Sequence, residues 1–225
     1  MGGLEEQREA ASKLSGGASS DVVYTPILDI IGSQALRGVV LDYGAGVGQL
    51  TSRLLSTEQF SRVEAADLME RSQSVHRDIV WHRQDLNRPL EVPNETYDLV
   101  VAAEIIEHLE NPRATMRDWY RILRPGGQLI MSTPNNESFR AILHLIFRGH
   151  FVLFADSCYP AHITALTRKD VERIVKEAGF DCLQFRYSDV GGLPGQPNTT
   201  WQRLSFGALR GRRWSDNIIA VARRP

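Results

Sequence analysis

Val39-Val-Leu-Asp42-Tyr-Gly44-Ala45-Gly46-Val-Gly48-Gln49 is the stretch that decides the fold. A short apolar run enters three glycines at every second position and leaves directly into a sequence with helical spacing. A tight strand-to-helix turn needs glycine, because glycine takes positive φ and lets a ligand approach the backbone. The N–H groups that open the following helix suit an anionic group. The spacing then selects among ligands. A dinucleotide fingerprint, G-x-G-x-x-G, needs glycine at 49, where Gln49 stands, and a P-loop needs a Gly-Lys-Ser/Thr ending that is missing. What remains is D-x-G-x-G-x-G, or a turn whose three glycines serve packing alone.

Around this turn, short apolar runs alternate with helical stretches. Strands are predicted at 39–42, 63–67, 79–83, 97–103 and 128–133, and helices at 21–31, 49–56, 70–76 and 113–123. Such alternation implies an α/β fold, a mainly parallel sheet with helices on both faces. Arg124-Pro-Gly-Gly127 reads as a helix-to-strand turn. Past Pro134 an unusually apolar run at 139–155, broken at Gly149, precedes a helix at 167–178 with Thr167 as N-cap and Gly179 beyond its end. Two further strands, 180–187 and 217–222, close the sheet as a hairpin-like pair with an antiparallel C-terminal strand, which makes seven strands. Residues 1–20 offer one short helix at 4–14 and a Gly/Ser linker, expected to be a flexible segment or at most a cap. Residues 21–225 form a single domain carrying an insertion at about 138–162.

The 225 residues are 42% hydrophobic and 24% charged, enough apolar mass for a real core. Twenty-six basic against 27 acidic residues give a net charge of −1, which argues against a nucleic-acid partner. Cys158 and Cys182 match no disulfide framework or zinc motif. No run of about 18 apolar residues is present to span a bilayer and no signal peptide opens the chain, so a cytoplasmic protein is expected.

The D-x-G-x-G-x-G turn resembles the signature of the class I, Rossmann-like S-adenosylmethionine-dependent methyltransferases. The resemblance continues through 94–112 and 121–130 and covers 39–135. It implies S-adenosylmethionine as cofactor and a set of cofactor-binding residues at successive strand ends. Asp42 would hold the glycine loop and reach the methionine ammonium, with Gly44, Ala45, Gly46 and Gly48 forming that loop. Asp67 would accept the ribose hydroxyls, Asp85 would lie near the adenine amino group, and Leu68 and Leu86 would flank the adenine. Ala103 and Glu104, at the end of the fourth strand, complete the set.

Glu104-Ile-Ile-Glu107-His108, if helical, places Glu104, Glu107 and His108 on one face. A histidine beside a carboxylate can titrate near neutrality and act as a general base, the catalytic role assigned to His108. The same three groups could instead hold a divalent cation, or His108 could line the pocket structurally. The chain is similar to the ubiquinone-pathway O-methyltransferases in its E-x-x-E-H element, in Ser132-Thr-Pro-Asn135, and in an apolar insertion followed by His162. In that group the E-x-x-E-H residues have been associated with a metal. The implied activity is methyl transfer to a hydroxyl of a small-molecule acceptor. N-methylation of an amine, or cofactor binding without transfer, are the alternatives.

The 139–155 run reads as an acceptor lid, as a helix in the core or a dimer face, or as a weak contact with a lipid surface through Arg140 and Arg148. A monomer and a homodimer are both open. Arg203, Arg210, Arg212, Arg213, Arg223 and Arg224 form a solvated surface or bind an anionic acceptor.

Overall fold

The computed structural model describes residues 3–14 and 16–225. Helices α1 (Leu4–Leu14) and α2 (Asp21–Ser33) precede β1 (Gly38–Tyr43), α3 (Gln49–Ser56), β2 (Phe60–Asp67), β3 (Val80–Arg83) and β4 (Tyr97–Ala103). Helix α4 (Pro112–Ile122) runs into β5 (Leu123–Pro134), followed by α5 (Phe139–Arg148), α6 (Arg168–Ala178) and β6 (Asp181–Tyr187). A small ribbon of β7 (Gly192–Leu193) and β8 (Gln196–Thr200), the single turn α7 (Trp201–Leu204) and β9 (Asn217–Arg223) complete the chain.

Seven strands form one sheet in the order β3-β2-β1-β4-β5-β9-β6. The first five pair in parallel, and β9 lies antiparallel between β5 and β6. The doubly covered, Rossmann-like sheet read from the sequence is therefore the observed fold. Its central strands are apolar on both faces because helices cover both. Trp119 and Met116 of α4 and Val171 and Val175 of α6 pack on one side with Leu41 and Val100. Val23, Ile27 and Ile31 of α2 and Leu50 and Leu54 of α3 pack on the other with Val40 and Val101. Each large side chain buried this way contributes roughly 1.5–3 kcal/mol.

Local signals fix the helix ends. The Asn111 side chain accepts from the Ala114 N–H and Pro112 follows as first helical residue of α4. At α6, Thr167 and Asp170 form a reciprocal capping box, and Gly179 ends the helix in the left-handed region.

Three expectations change. Residues 70–76 form turns, not a helix: the Ser72 hydroxyl meets the Ser74 N–H at 3.4 Å and the His76 ring accepts from the Asp78 N–H at 3.3 Å. Short polar side chains here offer the backbone partners that a helix would otherwise supply. The last two sheet strands are neighbours, but β7, β8 and α7 intervene between them in the chain. The 139–155 run is not a core helix. α5 buries only Ala141, while Ile146 and Phe147 are 67% and 77% exposed. No described helix is long and apolar enough to cross a membrane.

Thr167→Ala removes the hydroxyl half of the α6 capping box, which accepts from the Asp170 N–H at 3.3 Å, together with the bond that hydroxyl donates to the Asp170 carboxylate at 2.6 Å, while the backbone half stays. The expected cost is about 1 kcal/mol, a fall of about 2–4 °C in melting temperature for a chain of this length. Thermal denaturation followed by circular dichroism checks it, with Thr167→Ser retaining most of the stability.

Candidate active site

The glycine turn sits at the carboxyl end of β1, where open parallel sheets place their ligands. Gly44 and Ala45 donate their N–H groups to the Ala66 carbonyl of β2 at 2.8 and 3.2 Å, which clamps the turn to the neighbouring strand. Gly44, Gly46 and Gly48 all have positive φ. A Cβ on Gly44 would lie 2.6 Å from Ile105, and one on Gly46 would collide with the Gly17 carbonyl. The sequence needs glycine there for conformation and for space together.

A cavity of about 390 Å³ opens above this turn. Of the residues singled out in the sequence, Gly44, Gly46, Asp67, Leu68, Asp85, Leu86, Ala103, Glu104 and His108 all line it. Asp42, Ala45 and Gly48 do not, and stand behind the wall. The Asp42 carboxylate accepts from the Thr51 hydroxyl at 2.6 Å and so ties α3 to β1. Burial pushes Asp42 up to about 7, against the opposing pull of that hydroxyl.

Asp67 closes β2. Its two oxygens accept the Gly46 N–H at 2.7 Å and the Met69 N–H at 2.8 Å. Burial raises its pKa and the backbone donors offset part of that rise. Each oxygen keeps a lone pair for a ligand hydroxyl. Asp85 follows β3; it accepts Arg8 at 2.6 Å on one oxygen and the Asn87 N–H at 3.0 Å on the other. Tyr43 donates to the Leu86 carbonyl and Trp81 to the Met69 carbonyl, so core aromatics position both loops that carry apolar lining groups.

Glu104 sits just past β4 with φ of 53°, a left-handed conformation that is costly for a residue with a Cβ. Ser132 holds it twice, accepting from the Glu104 N–H and donating to Oε1, and Asn217 donates to Oε2 at 2.9 Å. The expected continuous helix is a single 3₁₀ turn, Ile106–His108. It nonetheless gathers the acidic pair. Glu107 is fully buried; Thr133 donates to its Oε2, and its Oε1 has no partner among the described residues. Burial raises both carboxyls, and the Glu104 charge raises Glu107 further.

His108 departs from the near-neutral titration expected of it. Burial and the adjacent His162 push it down to about 4, only partly opposed by the Ala161 and Glu104 carbonyls. The Ala161 carbonyl lies 2.9 Å from Nδ1, and a carbonyl only accepts, so Nδ1 carries the proton and Nε2 is bare. His162 repeats the pattern, with Nδ1 2.7 Å from the Leu153 carbonyl, and the two rings meet edge to face at 4.7 Å. Ile163 and Thr164 donate to the Glu107 carbonyl, which pins the end of the insertion beside the 3₁₀ turn. One donor atom each from Glu107, His108 and His162 lies within 4.8 Å of the others.

Arg8, Asn217 and Tyr159 were absent from the sequence reading of the site. The first two act across 77 and 113 residues of chain, a separation that no local pattern reports. The segment expected to be flexible or a cap supplies Arg8, Ala11 and Ser12 to the cavity wall.

Gly46→Ala is expected to weaken S-adenosylhomocysteine binding about tenfold or more, since the strain of a left-handed alanine and its clash with Gly17 amount to roughly 1–3 kcal/mol. Titration calorimetry checks this, and an unchanged affinity removes the turn from the binding site.

Comparison with known proteins places the chain in a family. Residues 21–184 match a family described as "Methyltransferase domain". A malonyl-[acyl-carrier protein] O-methyltransferase of Paenibacillus sp. (strain JDR-2) is 26% identical over 160 residues, 67% of this chain and 58% of that protein. A ubiquinone biosynthesis O-methyltransferase of Pseudomonas entomophila (strain L48) is 28% identical over 122 residues, 51% of each. The chain thus spans a little over half the length of these curated relatives. A SAM-dependent methyltransferase structure from Archaeoglobus fulgidus superposes with a TM-score of 0.63 at 15% identity, covering 92% of this chain and 95% of that one. The chain belongs to the methyltransferase domain family, and shares its fold with that SAM-dependent methyltransferase structure.

Proposed function

We propose that the protein transfers a methyl group from S-adenosylmethionine to a hydroxyl of a small, uncharged acceptor, with His108 as general base. The observation that carries this reading is the His108 imidazole, neutral, fixed through Nδ1 to Ala161, and placed on the cavity wall beside Glu104 and the glycine turn.

Two features support a fit to the cofactor: a glycine turn packed so closely that a Cβ at Gly44 or Gly46 would strike Ile105 or Gly17, and a buried carboxylate at Asp67 with spare acceptor capacity. S-adenosylmethionine supplies a methyl group carried on a sulfonium. The chain's share is to align and to remove a proton. Asp67 is assigned to the ribose hydroxyls, Leu68 and Leu86 to the adenine faces, and Gly44, Gly46, Ala103 and Glu104 to the methionine end. Asp85 is assigned to the adenine amino group, sharing its carboxylate with Arg8. Asp42, Ala45 and Gly48 support the loop from behind. Holding two reactants in line can supply several orders of magnitude in rate. His108 Nε2 would take the acceptor's hydroxyl proton as the methyl group passes to that oxygen, the methyl–sulfur bond breaking and the cofactor leaving as a neutral thioether.

Charge selects the acceptor. Among the described lining residues the one cation is Arg8, already paired with Asp85 and Glu110. None of the C-terminal arginines reaches the cavity wall. A carboxylate or phosphate acceptor would find no free counter-charge there, whereas a hydroxyl finds a bare imidazole nitrogen. Both relatives are named for O-methylation, which supports oxygen as the nucleophile.

A divalent cation is a second reading, favoured by one observation: Glu107 Oε1 is buried without a partner and its donors converge with those of His108 and His162. These three residues would hold it, and it would acidify a bound hydroxyl.

Incubation with S-adenosylmethionine and a panel of phenols, sugars, amines and carboxylic acids should yield S-adenosylhomocysteine with neutral hydroxyl compounds; turnover confined to amines overturns O-methylation. His108→Ala should lower kcat by about 10²-fold or more while leaving S-adenosylhomocysteine affinity within about twofold. Because protonation removes the base, kcat/KM should fall only as pH drops through about 4, not through the usual histidine value of 6.5. An acid limb in the neutral range instead assigns the essential ionisation to Glu104, which burial holds above the ordinary carboxylate range. Turnover that survives exhaustive chelation excludes the cation.

A further inference from the structure

One wall of the cavity comes from outside the sheet. Arg8, Ala11 and Ser12 recur at i, i+3 and i+4 along α1, share one helix face, and all line the cavity. Gly17, Ala18 and Ser19 continue this wall to the glycine turn, where the Val47 N–H donates to the Gly17 carbonyl at 2.8 Å. The segment therefore runs from the Asp85 end of the cavity to the Gly46 end.

Apolar packing does not hold it there. Among the described residues, neither core cluster contains a member of α1, and Leu14 is exposed. An isolated helix of 11 residues is marginal in water, so α1 depends on what its polar side chains reach. Arg8 reaches furthest. Its guanidinium donates to Asp85 Oδ2 at 2.6 Å and to both oxygens of Glu110 at 2.9 and 2.7 Å. Asp85 lies in the loop after β3 and Glu110 in the loop before α4, so one side chain bridges two separate rims of the cavity. The Arg8 side chain is only 16% exposed and Asp85 is buried, so this arm of the bridge is little screened, whereas the Glu110 arm faces solvent. Arg83 adds a longer pairing with Glu9 at 3.3 Å. At its other end the segment turns through Gly16 and Gly17, with φ of 72° and 58°, conformations that glycine enters and leaves freely.

We propose that α1 together with residues 16–19 is a strap that closes over the bound cofactor, hinged at Gly16–Gly17 and latched by Arg8 onto Asp85 and Glu110. Arg8 is then a positioning residue that sets how long the cofactor and its demethylated product stay bound. The inference rests on the S-adenosylmethionine reading of the cavity. Opening breaks the latch and a few polar contacts but exposes no core, while Asp67 and the glycine turn remain fixed on the sheet. Movement of this sort is drawn from the least stable parts of a fold, and product release through it can limit turnover.

Stopped-flow displacement of S-adenosylhomocysteine from the full chain reads the latch directly. Arg8→Ala is expected to raise the dissociation rate about tenfold, the effect of losing a bidentate charge-assisted contact. The ligand-free protein should stay folded, with a melting temperature lowered by no more than about 3–6 °C, the thermal equivalent of a tenfold contact. Arg8→Lys, which keeps the charge but not the planar fork, should recover only part of the retention, and Glu110→Gln should raise the dissociation rate by a smaller factor. In hydrogen exchange, amides 4–14 should slow when S-adenosylhomocysteine binds the unmodified protein and stay fast in Arg8→Ala. An unaltered dissociation rate in Arg8→Ala, or equal exchange of these amides with and without ligand, overturns the strap. Absence of any binding heat from the unmodified protein would instead remove the cofactor reading itself, and the strap with it.

Discussion

A single carboxylate holds the site together at its base. Asp67 accepts the Gly46 N–H at 2.7 Å and the Met69 N–H at 2.8 Å, and so joins the turn after β1 to the loop after β2. A buried carboxylate without such donors would carry a large desolvation cost, and each charge-assisted bond returns about 1.5–3 kcal/mol. The glycines make this possible. A Cβ at Gly44 or Gly46 would push the turn away from Ile105 or Gly17 and so away from the acid. The cavity wall, the direction of α3 and the position of Asp67 are consequences of one backbone conformation.

The second half of the site depends on sheet order. Because β9 inserts antiparallel between β5 and β6, Asn217 at its start arrives beside Glu104 at the end of β4, two strands away. Ser132 and Thr133, successive residues of β5, serve Glu104 and Glu107 respectively. Two strands, β5 and β9, thus supply the donors that let two carboxyl groups sit in the interior. The left-handed φ at Glu104 is stored strain that these bonds over-determine, and strain of this type clusters at functional sites.

The parts of the structure legible in the sequence were those written in local pattern. The runs at 39–42, 97–103 and 128–133 alternate with amphipathic stretches, and the observed strands follow them because both faces of the sheet are covered. Thr167 and Gly179 delimit α6 as their chemistry requires. Where the reading faltered, a competing interaction decided. Ser72 and His76 bond to nearby backbone and dissolve the helix expected at 70–76. Glu104 leaves the helical region, so the acidic pair is gathered by a 3₁₀ turn and by β5, not by i, i+4 spacing. Arg8 carries no signal in its own surroundings, since its meaning lies in two carboxylates brought near it by folding.

The depressed pKa of His108 fits its environment and its task together. A charged imidazole in the empty cavity would be poorly solvated and would face His162, so the ring rests neutral with Nε2 open. In the proposed transfer, a proton arriving at Nε2 would create a cation near Glu107, whose Oε1 has no partner among the described residues. Burial and the Glu104 charge raise the Glu107 carboxyl, and a neighbouring cation would act against both by favouring its ionised form. The low resting basicity of His108 follows from its burial, and in the proposed reaction Glu107 is the group placed to offset it.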